Sequence, residues 1–154
     1  MAGRSGAAFT AEIGSMKMRE EVDAMRALGI SPVETLIVPR ILALVIALPL
    51  LTFIGNMMCL AGGAMIAYQM MNIDLQSFIE RLNDGVDIRH FYVGMIKTPF
   101  VAVIIGIVGT LEGMRVRGSA ESLGVHVRAS VVKAIFLVII LDAMFAMALT
   151  SMGI

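Results

Sequence analysis

Two charged residues, Lys97 and Asp142, lie within long apolar segments of this sequence. A charge at the centre of a membrane helix costs at least about 2.5–3.5 kcal/mol on insertion scales, so such residues are usually paired, face a cavity or serve a function. We predict that both face the interior of a helix bundle and line or brace a transport path. The competing interpretation is that Lys97 extends to the outer interface, because it lies only about six residues, or about 9 Å, inside its segment.

The sequence leaves open whether Lys97 and Asp142 form a direct salt bridge. Counted at about 1.5 Å per residue from the cytoplasmic side, Lys97 lies about 8 Å further out than Asp142. Helix side chains lean towards their own N-terminus, which points these two side chains apart in antiparallel helices. A tilt or a bridging water would close the gap, and a third partner fits the pattern equally well.

No catalytic or metal-binding motif accompanies these charges. The sequence contains no GxSxG, Walker phosphate loop or HExxH motif. Cys59 is the single cysteine, so an intrachain disulfide is excluded and the residue is expected to pack as a small apolar side chain. We interpret His90 and His126 as interfacial polar residues. The sequence therefore predicts neither an enzyme nor a bound cofactor or metal.

Three apolar segments carry the charged residues. Hydrophobic residues make up 58% of the chain and charged residues 16%, whereas about a quarter of the residues of a soluble domain are charged. A transmembrane helix needs about 20 apolar residues, and the segments 41–68, 91–111 and 134–154 meet that requirement. We predict a single all-α integral membrane domain with three transmembrane helices.

The remaining segments are polar and set the orientation. We predict an amphipathic helix over 10–28, ended at Gly29, a short amphipathic helix within 72–90, and a loop over 112–133. Basic residues concentrate in 1–40 and in 112–133, so the positive-inside rule places both in the cytoplasm. The segment 72–90 and the C-terminus are then expected on the periplasmic side.

The helix 10–28 carries charges of both signs, which favours docking on a cytoplasmic protein over a Lys- and Arg-rich lipid anchor. Its candidate docking residues are Glu12, Lys17, Glu21, Asp23 and Arg26. In the second span, small residues on one face predict close helix packing; they are Gly106, Gly109 and Gly113. The net charge of zero gives no indication of nucleic-acid binding.

Several segments in combination resemble the signature of MlaE-type permeases, the membrane subunits of MCE-associated ABC transporters. The matching segments are 3–17, 21–30, 38–40, 48–52, 96–97, 112–118, 121–124 and 141–142. Each segment is weak evidence alone, but the combination is specific and covers essentially the whole chain.

The resemblance implies a homodimeric permease in the inner membrane. It would bind a pair of cytoplasmic ATPase subunits and work with a periplasmic MCE-domain protein to move phospholipids or related lipids between the inner membrane and the envelope. By position, Glu12 to Leu28 is similar to the coupling helix that docks on the ATPase, and Lys97 and Asp142 are similar to the family's intramembrane charges. Family chains are longer at the N-terminus, so we expect either a fragment or a late start.

Two other functions stay open at this stage. The first is an ion- or proton-coupled carrier with Asp142 as the relay, whose transport an uncoupler would abolish while ATPase inactivation would not. The second is a structural membrane subunit that tolerates the loss of both Lys97 and Asp142. For the permease, we predict that ATPase closure pushes the helix 10–28 and rearranges the spans around a methionine-rich, lipid-sized cavity.

Overall fold

The computed structural model describes residues 1–151, which are almost entirely helical and contain no β-strand. The last three residues of the predicted span 134–154 lie outside this described part. The helices, in chain order, are α1 Ala2–Met18, α2 Glu21–Ala27, α3 Val38–Met71, α4 Leu75–Gly85, α5 Ile88–Met114 and α6 Ala120–Ser151. A π-helical turn, Val33–Ile37, leads into α3.

Three of these helices, α3, α5 and α6, are long and apolar enough to cross a membrane. The prediction of an all-α protein with three candidate spans is therefore confirmed. All three helices are longer than the predicted apolar segments. A helix satisfies its own backbone hydrogen bonds, so it continues through polar residues wherever their side chains are paired or solvated.

The core lies where α3 crosses α5. Leu44 and Leu48 of α3 pack against Ala102 and Ile105 of α5, and all four are buried. The two helices are antiparallel, since Ile41 lies beside Gly106 at one end of the contact. At the other end, the rings of Phe53 and Phe91 meet edge to face with centroids 6.1 Å apart.

The structure differs from the predicted single helix over 10–28. Helix α1 begins at Ala2, and Glu20, in a left-handed conformation with φ 62°, separates it from α2. The Gly- and Ala-rich residues 2–9 lay outside the predicted helix, but small side chains allow a helix to pack closely against its neighbours. Gly29 has φ 74° just after α2, as expected for a glycine that ends a helix.

Helix α1 lies against α5 and α6 rather than on the surface of the bundle. Gly3 of α1 approaches Val131 of α6, and Gly14 of α1 approaches Leu123 of α6. The two helices are therefore antiparallel. Ile13 is completely buried. The N-terminal half of the predicted amphipathic helix 10–28 thus forms part of the packed bundle.

The predicted loop 112–133 is also largely helical. Helix α5 continues to Met114 and α6 begins at Ala120, so only residues 115–119 connect them. Sequence polarity suggested a loop, but the polar side chains of this segment bind one another across the two helices, as described below.

A helix is present within the predicted segment 72–90. The Asp74 carboxylate accepts a hydrogen bond from the backbone N–H of Leu75 at the start of α4, and Asp is one of the residues preferred at this N-terminal position. Asp87 accepts a bond from the backbone N–H of Arg89 at the start of α5. The periplasmic location of α4 stays a prediction.

Candidate functional site

Lys97 and Asp142 form a direct ion pair between α5 and α6. The Lys97 Nζ atom lies 2.5 Å from Asp142 Oδ1, and the rings of Phe100 and Phe145 meet close by, with centroids 5.7 Å apart. The offset estimated from sequence is smaller in the structure, because α5 and α6 continue as helices into 112–133 and their alignment brings Lys97 beside Asp142. No third partner is needed.

The pair lies on the outer surface of the described bundle rather than in its interior. The Asp142 side chain is 57% exposed and the Lys97 side chain 36% exposed. The expectation that both face the interior of the bundle is therefore not met within residues 1–151. In a membrane, the open side of this pair would contact lipid or further protein.

A cavity of about 340 Å³ opens beside Lys97. It extends towards the start of α5 and contains groups of both charge signs as well as apolar side chains. The other residues that line it are Asp87, Arg89, His90, Val93, Gly94 and Leu149. His90, interpreted above as an interfacial residue, thus lies in the same cavity as the intramembrane lysine.

The three glycines of α5 lie at helix contacts. A Cβ atom on Gly106 would come within 2.9 Å of Ile41 on α3, and one on Gly113 within 2.8 Å of Ile13 on α1. At Gly109 it would lie 3.0 Å from the carbonyl oxygen of Gly6. The absence of side chains at these positions lets the helices approach closely.

A buried hydroxyl supports the approach at Gly109. The Thr10 Oγ1 atom lies 2.9 Å from the carbonyl oxygen of Gly6 and 2.9 Å from that of Gly109. Thr10 is fully buried, and a buried hydroxyl without a partner would be costly. The α1–α5 contact therefore combines close packing with a satisfied polar group.

The predicted docking residues of the helix 10–28 divide into two groups. In α1, Glu12 binds Arg40 at 2.5 Å, and Lys17 donates to the carbonyl oxygen of Met114 at the end of α5. Both residues thus bind their own chain. The second group lies on α2 and consists of Glu21, Asp23 and Arg26, whose side chains are 40%, 57% and 54% exposed.

Sequence reasoning missed a buried charge cluster around Glu112. This carboxylate is only 4% exposed and lies 2.6 Å from Lys133, 3.1 Å from Arg115 and 2.8 Å from His126. Its partners lie 3, 14 and 21 residues away in sequence, and they converge only because α5 and α6 extend through the predicted loop. No signal in the sequence spacing would have revealed it without that extension.

The cluster gives a direct test of its stabilising role. Lys133→Met is expected to lower the free energy of unfolding by about 1–3 kcal/mol, because the buried Glu112 carboxylate loses a charged donor. When Glu112 has been replaced by Gln, the Lys133→Met substitution should lower the free energy of unfolding by less than half as much. The measurement is chemical unfolding in detergent, with Arg128→Met, an exposed cation on the same helix, as control. Equal costs in both backgrounds would show that the two residues are not coupled.

Comparison with known proteins assigns the family. The family model for permease MlaE matches residues 1–148. The chain belongs to the MlaE permease family. This assignment confirms the resemblance inferred from the sequence and makes the chain part of a transporter permease rather than an enzyme.

Several relatives of this MlaE-family chain are named as probable ABC transporter permeases. A probable ABC transporter permease of Pyropia yezoensis is 31% identical over 142 residues, which cover 92% of this chain and 54% of the relative. A probable ABC transporter permease of Synechocystis sp. is 31% identical over 140 residues, which cover 91% of this chain and 53% of the relative. The chloroplastic protein TRIGALACTOSYLDIACYLGLYCEROL 1 of Arabidopsis thaliana is 30% identical, covering 92% and 41%. The chain therefore spans about half the length or less of these relatives.

Proposed function

We propose that this chain forms the transmembrane part of an ABC transporter that moves phospholipids or related lipids between the inner membrane and the cell envelope. The observation that carries the proposal is the MlaE family match over residues 1–148. It is supported by the three apolar helices and by a relative named after a diacylglycerol glycolipid. A second copy, a cytoplasmic ATPase and a periplasmic MCE-domain protein would complete the transporter.

The ATPase would dock on α2. Its charged residues Glu21, Asp23 and Arg26 are accessible, whereas Val22 is completely buried and fixes the helix to the rest of the chain. Glu12 and Lys17, predicted with them, bind other helices of the bundle, at Arg40 of α3 and Met114 of α5. In the described part of the chain, the charges of α2 pair only with residues 19–26. We therefore restrict the docking surface of this segment to the exposed face of α2.

The packing of α1 provides a route from that surface to the membrane helices. Helix α1 precedes α2, is joined to it by the two residues Arg19 and Glu20 and contacts α5 at Gly109 and Gly113. Because closely packed helices shift as units rather than deform continuously, movement of α2 during the ATPase cycle would displace α1 against α5 and α6. This displacement would rearrange the spans around the lipid.

Charge reversal on α2 tests the docking. In the complete permease, the double substitution Glu21→Lys with Arg26→Glu is expected to reduce ATPase copurification about tenfold or more, because like charges then face each other across the contact. The matched control reverses Glu80 and Arg81, two exposed residues of α4 at the opposite end of the bundle. Unchanged ATPase recovery in the α2 variant, with intact membrane insertion, would contradict the proposed docking.

A further inference from the structure

A groove of about 270 Å³ lies between α5 and α6, next to the Glu112 cluster. One part of its wall is apolar and the other is charged. The apolar residues are Val108, Leu111, Phe136 and Leu137, and the charged residues are Glu112, Arg115 and Lys133. The groove is therefore amphipathic, with its charged part at the α5–α6 connection and its apolar part along the membrane helices.

The charges in this groove do not balance. Arg115 and Lys133 both bind the same atom, Glu112 Oε1, at 3.1 and 2.6 Å, so two cations share one carboxylate. Their side chains remain 61% and 51% exposed. A guanidinium has five N–H donors and an ammonium three, so both cations keep donors with no acceptor among residues 1–151. One further anionic group would neutralise the site.

The position of the groove limits what that anion can be. Arg115 and Lys133 lie at the end of the spans that carries the basic segments, where positively charged residues meet the phosphate groups of the cytoplasmic leaflet. The adjoining wall is formed by half-exposed apolar side chains on lipid-crossing helices, including Leu111 and Phe136. A free phosphate would use only the cations and leave this wall unoccupied.

We propose that this groove holds an anionic phospholipid from the cytoplasmic leaflet. Its phosphate lies between Arg115 and Lys133, and an acyl chain follows the wall formed by Leu111 and Leu137. Such a lipid contacts α5 and α6 together and is a resident ligand rather than transported cargo. The inference needs the helices to be inserted in a membrane with residues 112–133 on the cytoplasmic side, and it is independent of the transport direction and of the ATPase.

Native mass spectrometry of the intact permease complex tests the proposal. The complex is reconstituted in nanodiscs of phosphatidylcholine with or without phosphatidylglycerol, then released in mild detergent. Arg115→Gln with Lys133→Gln keeps hydrogen-bond donors for Glu112 but removes both charges, and is expected to lower phosphatidylglycerol retention about tenfold, or about 1.4 kcal/mol. The matched control, Arg117→Gln with Arg128→Gln, removes two exposed charges from the same region and should retain the lipid.

A second variant leaves every charge in place. Leu137→Trp fills the apolar wall at a partly exposed position and is also expected to displace phosphatidylglycerol, while the melting temperature stays near that of the unmodified complex. Equal retention in the charge variant and its control would overturn the proposal. So would equal retention of phosphatidylcholine and phosphatidylglycerol, or an unmodified complex that retains no anionic lipid because other protein fills the groove.

Discussion

Replacement of Gly109 by leucine is expected to separate α1 from α5 and to prevent assembly of a stable permease. Even a Cβ atom at this position would lie 3.0 Å from the Gly6 carbonyl oxygen and 3.1 Å from Phe9 Cβ. The first of these atoms belongs to the backbone, so no change of rotamer relieves the clash. Overpacking usually costs about 1–3 kcal/mol, and we expect more than about 3 kcal/mol here because a whole helix must move.

The measurement is the yield and melting temperature of the full-length permease in detergent. Gly94→Leu is the matched control, since Gly94 lies on the same helix and a Cβ there meets nothing within 4 Å. Gly109→Ala should be intermediate. If Gly109→Leu melted within about 2 °C of the control, the close approach of α1 to α5 would not exist in the assembled protein.

Loss of one member of the Lys97–Asp142 pair is expected to reduce lipid transport by more than tenfold. Asp142→Ala leaves the Lys97 ammonium unpaired within a membrane helix, where an isolated charge costs about 2.5–3.5 kcal/mol or more. Lys97→Ala leaves the carboxylate in the same position. The double alanine variant should be more stable than either single variant, since it contains neither charge.

Activity of the double variant then separates three functions. Transport of a fluorescent phospholipid by the reconstituted complex is measured alongside ATP hydrolysis. Lost transport with preserved folding supports a role in the lipid path, whereas full transport indicates a purely structural pair. If an uncoupler abolished transport and ATPase inactivation did not, the carrier with Asp142 as relay would be favoured. Exchange of the two residues, Lys97→Asp with Asp142→Lys, should restore part of the stability, because the ion pair can form again.

The long apolar helices could be predicted from sequence because the requirement they meet is local. A bilayer needs about 20 consecutive apolar residues, and a run such as 41–68 shows this without any knowledge of its neighbours. The glycine spacing of α5 also lies within one helix, so Gly106, Gly109 and Gly113 could be placed on a common face. The helices that this face contacts could not be named, because no local pattern identifies the partner.

Features that depend on two distant segments were predicted less well. The Glu112 cluster joins α5 to α6, and polarity alone made 112–133 resemble a loop. Glu12 and Lys17 were assigned to the docking surface by their place on the mixed-charge helix 10–28, and their partners, Arg40 and the Met114 carbonyl oxygen, could not be named from the sequence. These contacts depend on how antiparallel helices are aligned along their length. If the start of α6 is predicted one turn too early or too late, different side chains are expected to meet.

The length of α3 has a consequence for the side of the membrane opposite α2. Its 34 residues extend about 51 Å at 1.5 Å per residue, against a hydrocarbon core of about 30 Å. Phe53 already meets Phe91 near the start of α5, so the following residues of α3, 54–71, extend about 27 Å beyond that contact. This projection is apolar and largely exposed, for example at Met58 and Met65. A protein that receives lipid there would meet a continuous apolar surface instead of a water-filled gap.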